Sequence, residues 1–331
     1  MSYISVIGAG SWGTTLAWLL AEKEYDVSLW VYEKALCEEM QTTRLNRLYL
    51  PGLSIPENVT ITSDLARAVS KSRYIVNVVP TQHARSVIKD AVPYMSPDTV
   101  LVNASKGIER KTLLTVSSIL REITDHRVAV ISGPSFAQEV SRKLPTAVTL
   151  SCEDIATSLL LQEIFNTPYF RVYTHNDILG VELGGALKNV MAIASGISDG
   201  LNLGHNARAA LLTRGLAEIE RLGSAMGAQE HTFSGLSGLG DLILTCTSFL
   251  SRNYSLGTKL AKGFKLGDIL SQSNSVVEGV ATAESAYELS KKYNVQMPFV
   301  EQVYKVLYED KDPVLAVTEL MNRTLKTEFN A

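Results

Sequence analysis

Ile4-Ser5-Val6-Ile7-Gly8-Ala9-Gly10-Ser11-Trp12-Gly13 is the stretch from which the rest of the chain is read. Ile4 to Ile7 read as a short, fully buried β-strand that runs straight into G-x-G-x-x-G, and Thr14 to Glu22 follow as an apolar helix. Each glycine has a physical role. Gly8 permits the tight turn, Gly10 lets backbone N–H groups approach a pyrophosphate with no Cβ in the way, and Gly13 lets the helix pack close to the strand. The helix N-terminus offers unpaired N–H groups and a positive dipole end to the phosphates. A second strand, Val27 to Val31, ends near acidic Glu33, about 20 residues on, as a dinucleotide-binding fingerprint requires.

Composition bounds the rest. At 331 residues two domains are expected. An apolar content of 46%, a charged content of 20% and a net charge of −3 describe a globular protein with no nucleic-acid footprint. No apolar run reaches the roughly 18 residues of a membrane span, and with the first strand so near Met1 no signal peptide is expected. The cysteines, Cys37, Cys152 and Cys246, are widely separated, which points to a reducing cytoplasm rather than a disulfide framework. The histidines form no H-x-x-x-H pair, so no metal is expected.

Strand-like runs at 59–62, 74–79, 99–103, 128–132, 146–150 and 170–173 alternate with helical patterns at 64–72, 83–92, 112–123 and 154–165. Runs such as YIVNVV and VAVIS are apolar at nearly every position, as buried parallel strands are, so the first half reads as a doubly wound parallel Rossmann sheet. From Asn176 to Ala331 only helical runs appear, at 177–198, 207–226, 241–247, 281–293, 299–308 and 314–321. The chain therefore divides into a dinucleotide-binding domain, 1–180, and an all-α substrate-binding domain, 181–331, joined through a continuous helix.

Ligands in such sheets bind beyond the carboxyl ends of the strands. Ser105-Lys106-Gly107 follows one strand, and Gly133-Pro134-Ser135-Phe136-Ala137 follows another. Ser135 and Gln138 have capping-box spacing, the plainer reading of that turn. Gly180, Gly184, Lys188, Ala192 and Gly196 recur every fourth residue on one helix face. A lysine on such a stripe is desolvated and its pKa lowered, which suits acid–base work, although snorkelling out of a tight helix pair is the alternative. Asp241 follows Gly240 either as a helix N-cap or to orient a lysine or substrate hydroxyl. Ser251-Arg252-Asn253 offers a fork of donors for a phosphate, or simply a surface arginine at a helix start.

Together GAGSWGT, the Ser-Lys-Gly turn, GPSFAQEV, GVELGGALKNVMAIASGISDGL, NARAALLTRGLAEI, GLSGLGDLILTCTS, SRN and VEG resemble, in order and over nearly the whole chain, the bacterial NAD(P)-dependent glycerol-3-phosphate dehydrogenases. The resemblance implies that Lys188 is the proton acceptor. It implies that Lys106, Gly133, Ser135, Lys188, Asp241, Ser251, Arg252 and Asn253 hold the phosphorylated substrate, dihydroxyacetone phosphate or glycerol 3-phosphate. Ser11, Trp12, Tyr32, Lys106, Ala137, Arg252, Val276 and Glu278 would touch the cofactor, NAD or NADP, beside Gly8, Gly10 and Gly13. Tyr32 stands where the family has a basic residue or histidine. A ribose 2′-OH wants an acceptor and a 2′-phosphate wants a cation; Glu33 and Lys34 offer one of each, so use of both cofactors with no strong preference is expected. The resemblance further implies reduction as the physiological direction, supply of the phospholipid backbone, and a homodimer.

Two rivals are weighed. β-Hydroxyacid and 6-phosphogluconate dehydrogenases share the layout, but resemble a pattern with asparagine four residues after the lysine; here Asn189 is adjacent and position 192 is alanine. A non-catalytic dinucleotide sensor would not need Lys106, Lys188, Asp241 and Arg252 together.

Overall fold

A computed structural model describes residues 3–273, 275–325 and 327–328. Among the described residues ten strands form, β1 Ile4–Ile7, β2 Val27–Trp30, β3 Leu45–Asn46, β4 Leu50–Ser54, β5 Val59–Thr62, β6 Tyr74–Asn77, β7 Val100–Asn103, β8 Arg127–Ser132, β9 Thr146–Cys152 and β10 Phe170–His175. Eight of them make one sheet in the order β10-β9-β8-β7-β6-β1-β2-β5. β1, β6 and β7 are buried at every position. Their alternate side chains feed different cores: Ile4, Val6, Tyr74, Val76, Val100 and Val102 on one face, Ile7, Ile75 and Leu101 on the other. Helices cover both faces, which is why these strands carry no polar alternation.

The sheet departs from an all-parallel one at a single pair. β8 and β9 run antiparallel, with Ala129 opposite Cys152 and Ser132 opposite Thr149. The segment between them carries only the four-residue helix Ala137–Val140. That is too little helix to carry the chain back across the sheet for a parallel return, so β9 comes back beside β8 and β10 pairs parallel to β9. The hairpin β3–β4 was not expected either. Its second strand reads Leu50-Pro51-Gly52-Leu53-Ser54, and a Pro-Gly pair signals a turn; the strand is tolerated because it lies on an exposed two-stranded edge.

After β10 the described residues form helices and turns only, as expected; Asn274, Lys326 and residues 329–331 of that stretch lie outside them. Helix 178–200 is the axis of this part and is buried along nearly its whole length; the division expected at 180/181 falls in its first turn. By length and mean hydropathy it is the one described helix apolar enough to cross a membrane, yet 94% of that window is buried inside the protein. Asp177 caps it by accepting the Gly180 N–H. Buried Glu182 ties it to the sheet by accepting from Asn103 Nδ2 at 2.8 Å and the Ser117 N–H at 2.9 Å.

Gly184 and Gly196 of the stripe pack on protein backbone, whereas Gly180 lies against the Asp177 carboxylate. A Cβ on Gly196 would lie 2.0 Å from the Tyr254 carbonyl oxygen, and one on Gly184 would lie 2.6 Å from that of Ser237. Gly257, on helix 252–261, approaches the Ile193 carbonyl in return. These two helices therefore touch backbone to backbone, and that contact sets the spacing between what each carries. Gly196→Ala should force them apart, an overpacking cost of about 1–3 kcal/mol and a fall in Tm of roughly 2–12 °C in differential scanning calorimetry. Gly267→Ala, in a helix with no atom within 4 Å of the added carbon, should leave Tm unchanged or raise it.

Candidate active site

β1, β6, β7 and β8 run parallel as neighbours, so the turns after them share one edge of the sheet. The first is the glycine turn. Gly8 has φ +110°, in the left-handed region, and donates its N–H to the Trp30 carbonyl at 3.2 Å. A Cβ on Gly13 would lie 1.8 Å from the Gly8 carbonyl oxygen, so helix and strand pack as the motif requires. At Gly10 an added Cβ meets nothing within 4 Å, so this face is open. Helix 11–22 starts there with no side-chain cap and no acid in its first turn. Open backbone, an uncapped N-terminus and no competing carboxylate fit a pyrophosphate, so the residues suit a dinucleotide.

Around this turn, Ser11 Oγ donates to the Tyr49 carbonyl at 2.8 Å, and Trp12 packs on Phe170 with its Nε1 buried and unpartnered among the described residues. Tyr32 is exposed and meets the Trp30 ring edge-on. The Ala137 carbonyl lies 3.4 Å from Thr15 Oγ1. Glu278 reaches over from the helical half and accepts the Thr81 N–H at 2.9 Å.

Beyond β7, Lys106 Nζ donates to the Gly133 carbonyl at 2.9 Å and to Asp241 Oδ2 at 2.7 Å. From helix 178–200, Lys188 Nζ reaches the other oxygen, Asp241 Oδ1, at 2.5 Å and Thr245 Oγ1 at 2.8 Å. One carboxylate, with its side chain 1% exposed, thus joins two lysines. Burial drives the Lys188 ammonium down from its ordinary range to about 8; Asp241 opposes that shift, and Lys106 adds to it. Asp241 is the first residue inside helix 241–246, with Gly240 in the cap position, so it does not cap that helix.

Ser135 donates to the Gly133 carbonyl at 3.0 Å and forms no capping box; the short helix starts after Phe136 with no side-chain cap. Ser251 caps helix 252–261 by accepting the Tyr254 N–H, which leaves its hydroxyl proton free to donate. Arg252 follows as the first helical residue, exposed, with Nη1 donating to the Val276 carbonyl at 2.7 Å. Asn253 Nδ2 donates to Asn189 Oδ1 at 2.9 Å, and Asn189 Nδ2 to the Lys106 carbonyl at 3.3 Å. Asn253 Oδ1 accepts the Gly279 N–H at 2.9 Å. The expected substrate residues therefore form one connected group, whereas Tyr32 stands apart at the end of β2.

Three participants were missed. Thr245 lies four residues after Asp241, a helical spacing visible in the sequence. Asn189, beside Lys188, and Tyr49, in the unexpected hairpin, gave no local signal.

The chain is similar to known proteins over nearly its whole length. The family model described as NAD-dependent glycerol-3-phosphate dehydrogenase N-terminus matches residues 3–158, and its C-terminus counterpart matches residues 177–318. A glycerol-3-phosphate dehydrogenase, NAD(P)+, of Geobacter sulfurreducens is 55% identical over 98% of each chain. The crystal structure of glycerol-3-phosphate dehydrogenase from Coxiella burnetii superposes with a TM-score of 0.94 at 41% identity, covering 97% of this chain and 99% of that one. The Saccharomyces cerevisiae glycerol-3-phosphate dehydrogenase gives 0.83 at 27% identity, over 97% and 99%. The chain belongs to the NAD-dependent glycerol-3-phosphate dehydrogenase family.

Proposed function

We propose that Lys188 is the acid–base group of an NAD(P)-dependent sn-glycerol-3-phosphate dehydrogenase that reversibly reduces dihydroxyacetone phosphate for glycerophospholipid synthesis. The observation that carries this reading is the buried Lys188 ammonium held on Asp241 with a pKa near 8. Residues 1–180 would chiefly hold the dinucleotide and 181–331 the substrate. A reduced nicotinamide cofactor held at the glycine turn would supply the hydride that reduces C2 of the substrate. Lys188 then gives its proton to the C2 oxygen, and takes it back in the oxidative direction. Lys106, held to the same carboxylate, keeps a second positive charge beside that oxygen as negative charge grows on it.

The phosphate belongs at the start of helix 252–261. Free N–H groups of the first turn, the Ser251 hydroxyl and the remaining guanidinium donors of Arg252 supply the bonds. Gly133, Ser135 and Asn253 shape the wall between phosphate and carbonyl. On the dinucleotide side, Ser11 and Trp12 lie at the helix start, with Lys106, Ala137, Arg252, Val276 and Glu278 toward the nicotinamide end. Three buried free thiols, Cys37, Cys152 and Cys246, suit a cytoplasmic enzyme, and a homodimer follows from the family resemblance.

Lys188→Ala should lower kcat by about 10²–10⁴, the usual worth of a positioned acid or base, with cofactor Kd nearly unchanged. A variant that keeps more than about a third of the activity makes this lysine structural.

The pH dependence has a definite sign. Reduction needs the ammonium, so its kcat/KM should be level below pH about 8 and fall above it. Oxidation needs the neutral amine and should rise through the same range. Initial rates in both directions from pH 6 to 10, checked at about two pH values per unit, test this; parallel profiles would exclude Lys188 as the titrating group.

Arg252→Ala removes charge-assisted bonds of about 1.5–3 kcal/mol each, so kcat/KM for dihydroxyacetone phosphate should drop roughly ten- to several-hundredfold per bond. Turnover of unphosphorylated dihydroxyacetone, already poor, should barely change. Equal losses on both substrates, with cofactor Kd intact, would show that the guanidinium does not anchor phosphate.

A further inference from the structure

We propose that Glu33 and Tyr49 act together as the cofactor selector of this chain, and that they favour NADH over NADPH. The inference rests on the dinucleotide-binding reading above. β2 lies beside β1 with Trp30 opposite Ile7, so the chain leaving β2 borders the glycine turn, where the adenosine ribose of a dinucleotide lies. Sequence alone leaves Glu33 and Lys34 balanced there. The tertiary structure does not.

Glu33 makes no cap bond to the helix it begins. Its Oε1 instead accepts the Tyr49 hydroxyl proton at 2.8 Å. Tyr49 is fixed at both backbone ends: its N–H donates to Asn46 Oδ1 at 3.1 Å, and its carbonyl accepts Ser11 Oγ at 2.8 Å. Asn46 is fully buried and donates to the Ala9 carbonyl and Thr14 Oγ1, both at 2.8 Å. A continuous line of hydrogen bonds therefore runs from the glycine turn to the Glu33 carboxylate. Burial and the Glu33 charge push the Tyr49 phenol up to about 12, so it stays a donor throughout the working pH range.

The carboxylate is thus held by Oε1, with no partner on Oε2 among the described residues. A fixed acceptor suits the ribose 2′-OH of NADH, and the same negative charge repels the 2′-phosphate of NADPH. Two neighbouring arginines are engaged elsewhere. Arg44 donates to the Ile55 carbonyl at 3.2 Å and the Val59 carbonyl at 2.9 Å, and Arg47 pairs with Glu39 at 3.3 Å. Lys34 is exposed and has no fixed partner among the described residues. The balance falls to the acid.

Titration of NADH and NADPH separately into substrate-free enzyme, followed by nicotinamide fluorescence, tests the pair directly. The unsubstituted chain should bind NADH at least about tenfold more tightly. Glu33→Gln keeps the shape and an acceptor but removes the charge; it should tighten NADPH about tenfold and move NADH by less than about threefold. Tyr49→Phe removes only the hydroxyl and should lower the discrimination by roughly three- to tenfold, with Tm and the KM for dihydroxyacetone phosphate unchanged. Equal affinities in the unsubstituted chain, or a ratio unmoved by either substitution, would overturn the proposal. Failure to bind either nucleotide would instead overturn the dinucleotide reading beneath it.

Discussion

The site depends on one buried carboxylate. Asp241 lies between Lys106 from the turn after β7 and Lys188 from helix 178–200, one oxygen for each. Taking charges out of water is costly, and the attraction between them offsets that cost only when geometry is good and the remaining polar atoms are satisfied. Here each lysine has a second acceptor besides the carboxylate: Gly133 accepts from Lys106, and Thr245 accepts from Lys188. The group of three carries net positive charge, which matches a phosphorylated substrate and an oxygen that turns negative during reaction. Without Asp241, two ammonium groups would share a dry site with no counter-charge, the arrangement that proteins tolerate least.

Holding the lysines at that carboxylate is the work of the helical half. The glycine contact between helices 178–200 and 252–261 brings Lys188 and Arg252 onto elements whose spacing leaves no slack. The amide line Lys106–Asn189–Asn253–Gly279 links four separate segments without adding charge. Glu182 and Asn103 anchor the same helix to the end of β7, next to the Lys106 turn. Buried polar groups of this kind are favourable only when partnered, so the network admits few alternative arrangements.

The dinucleotide edge obeys a different constraint. There the backbone itself makes the approach, so side chains must be kept away at Gly10 and brought back only at the rim. The small hairpin β3–β4 supplies the rim and is tied to the glycine turn by Asn46. The glycine turn, the hairpin and the residues that follow β2 are thereby joined at one edge of the sheet.

Much of this was legible in the sequence. Runs apolar at every position could only be strands covered on both faces, and the glycine spacing named the turn between the first strand and helix. Asp154, Asp177 and Asp312 each mark a helix start, and each accepts a backbone N–H there. The candidate site residues could be named because they sit in contiguous, ordered motifs that resemble the family's. Other features are long-range pairings and leave no local trace. The direction of β9 depends on what the 133–145 segment can span. Lys188 meets Asp241 across 53 positions, and Asn46 meets Ala9 across 37. The Gly-Ala stripe announced a close approach, but only the packed helices decided that the neighbour was backbone. Periodicity and spacing act within a few turns of chain, whereas a buried charge or amide is settled by whichever distant group folding brings within about 3 Å of it.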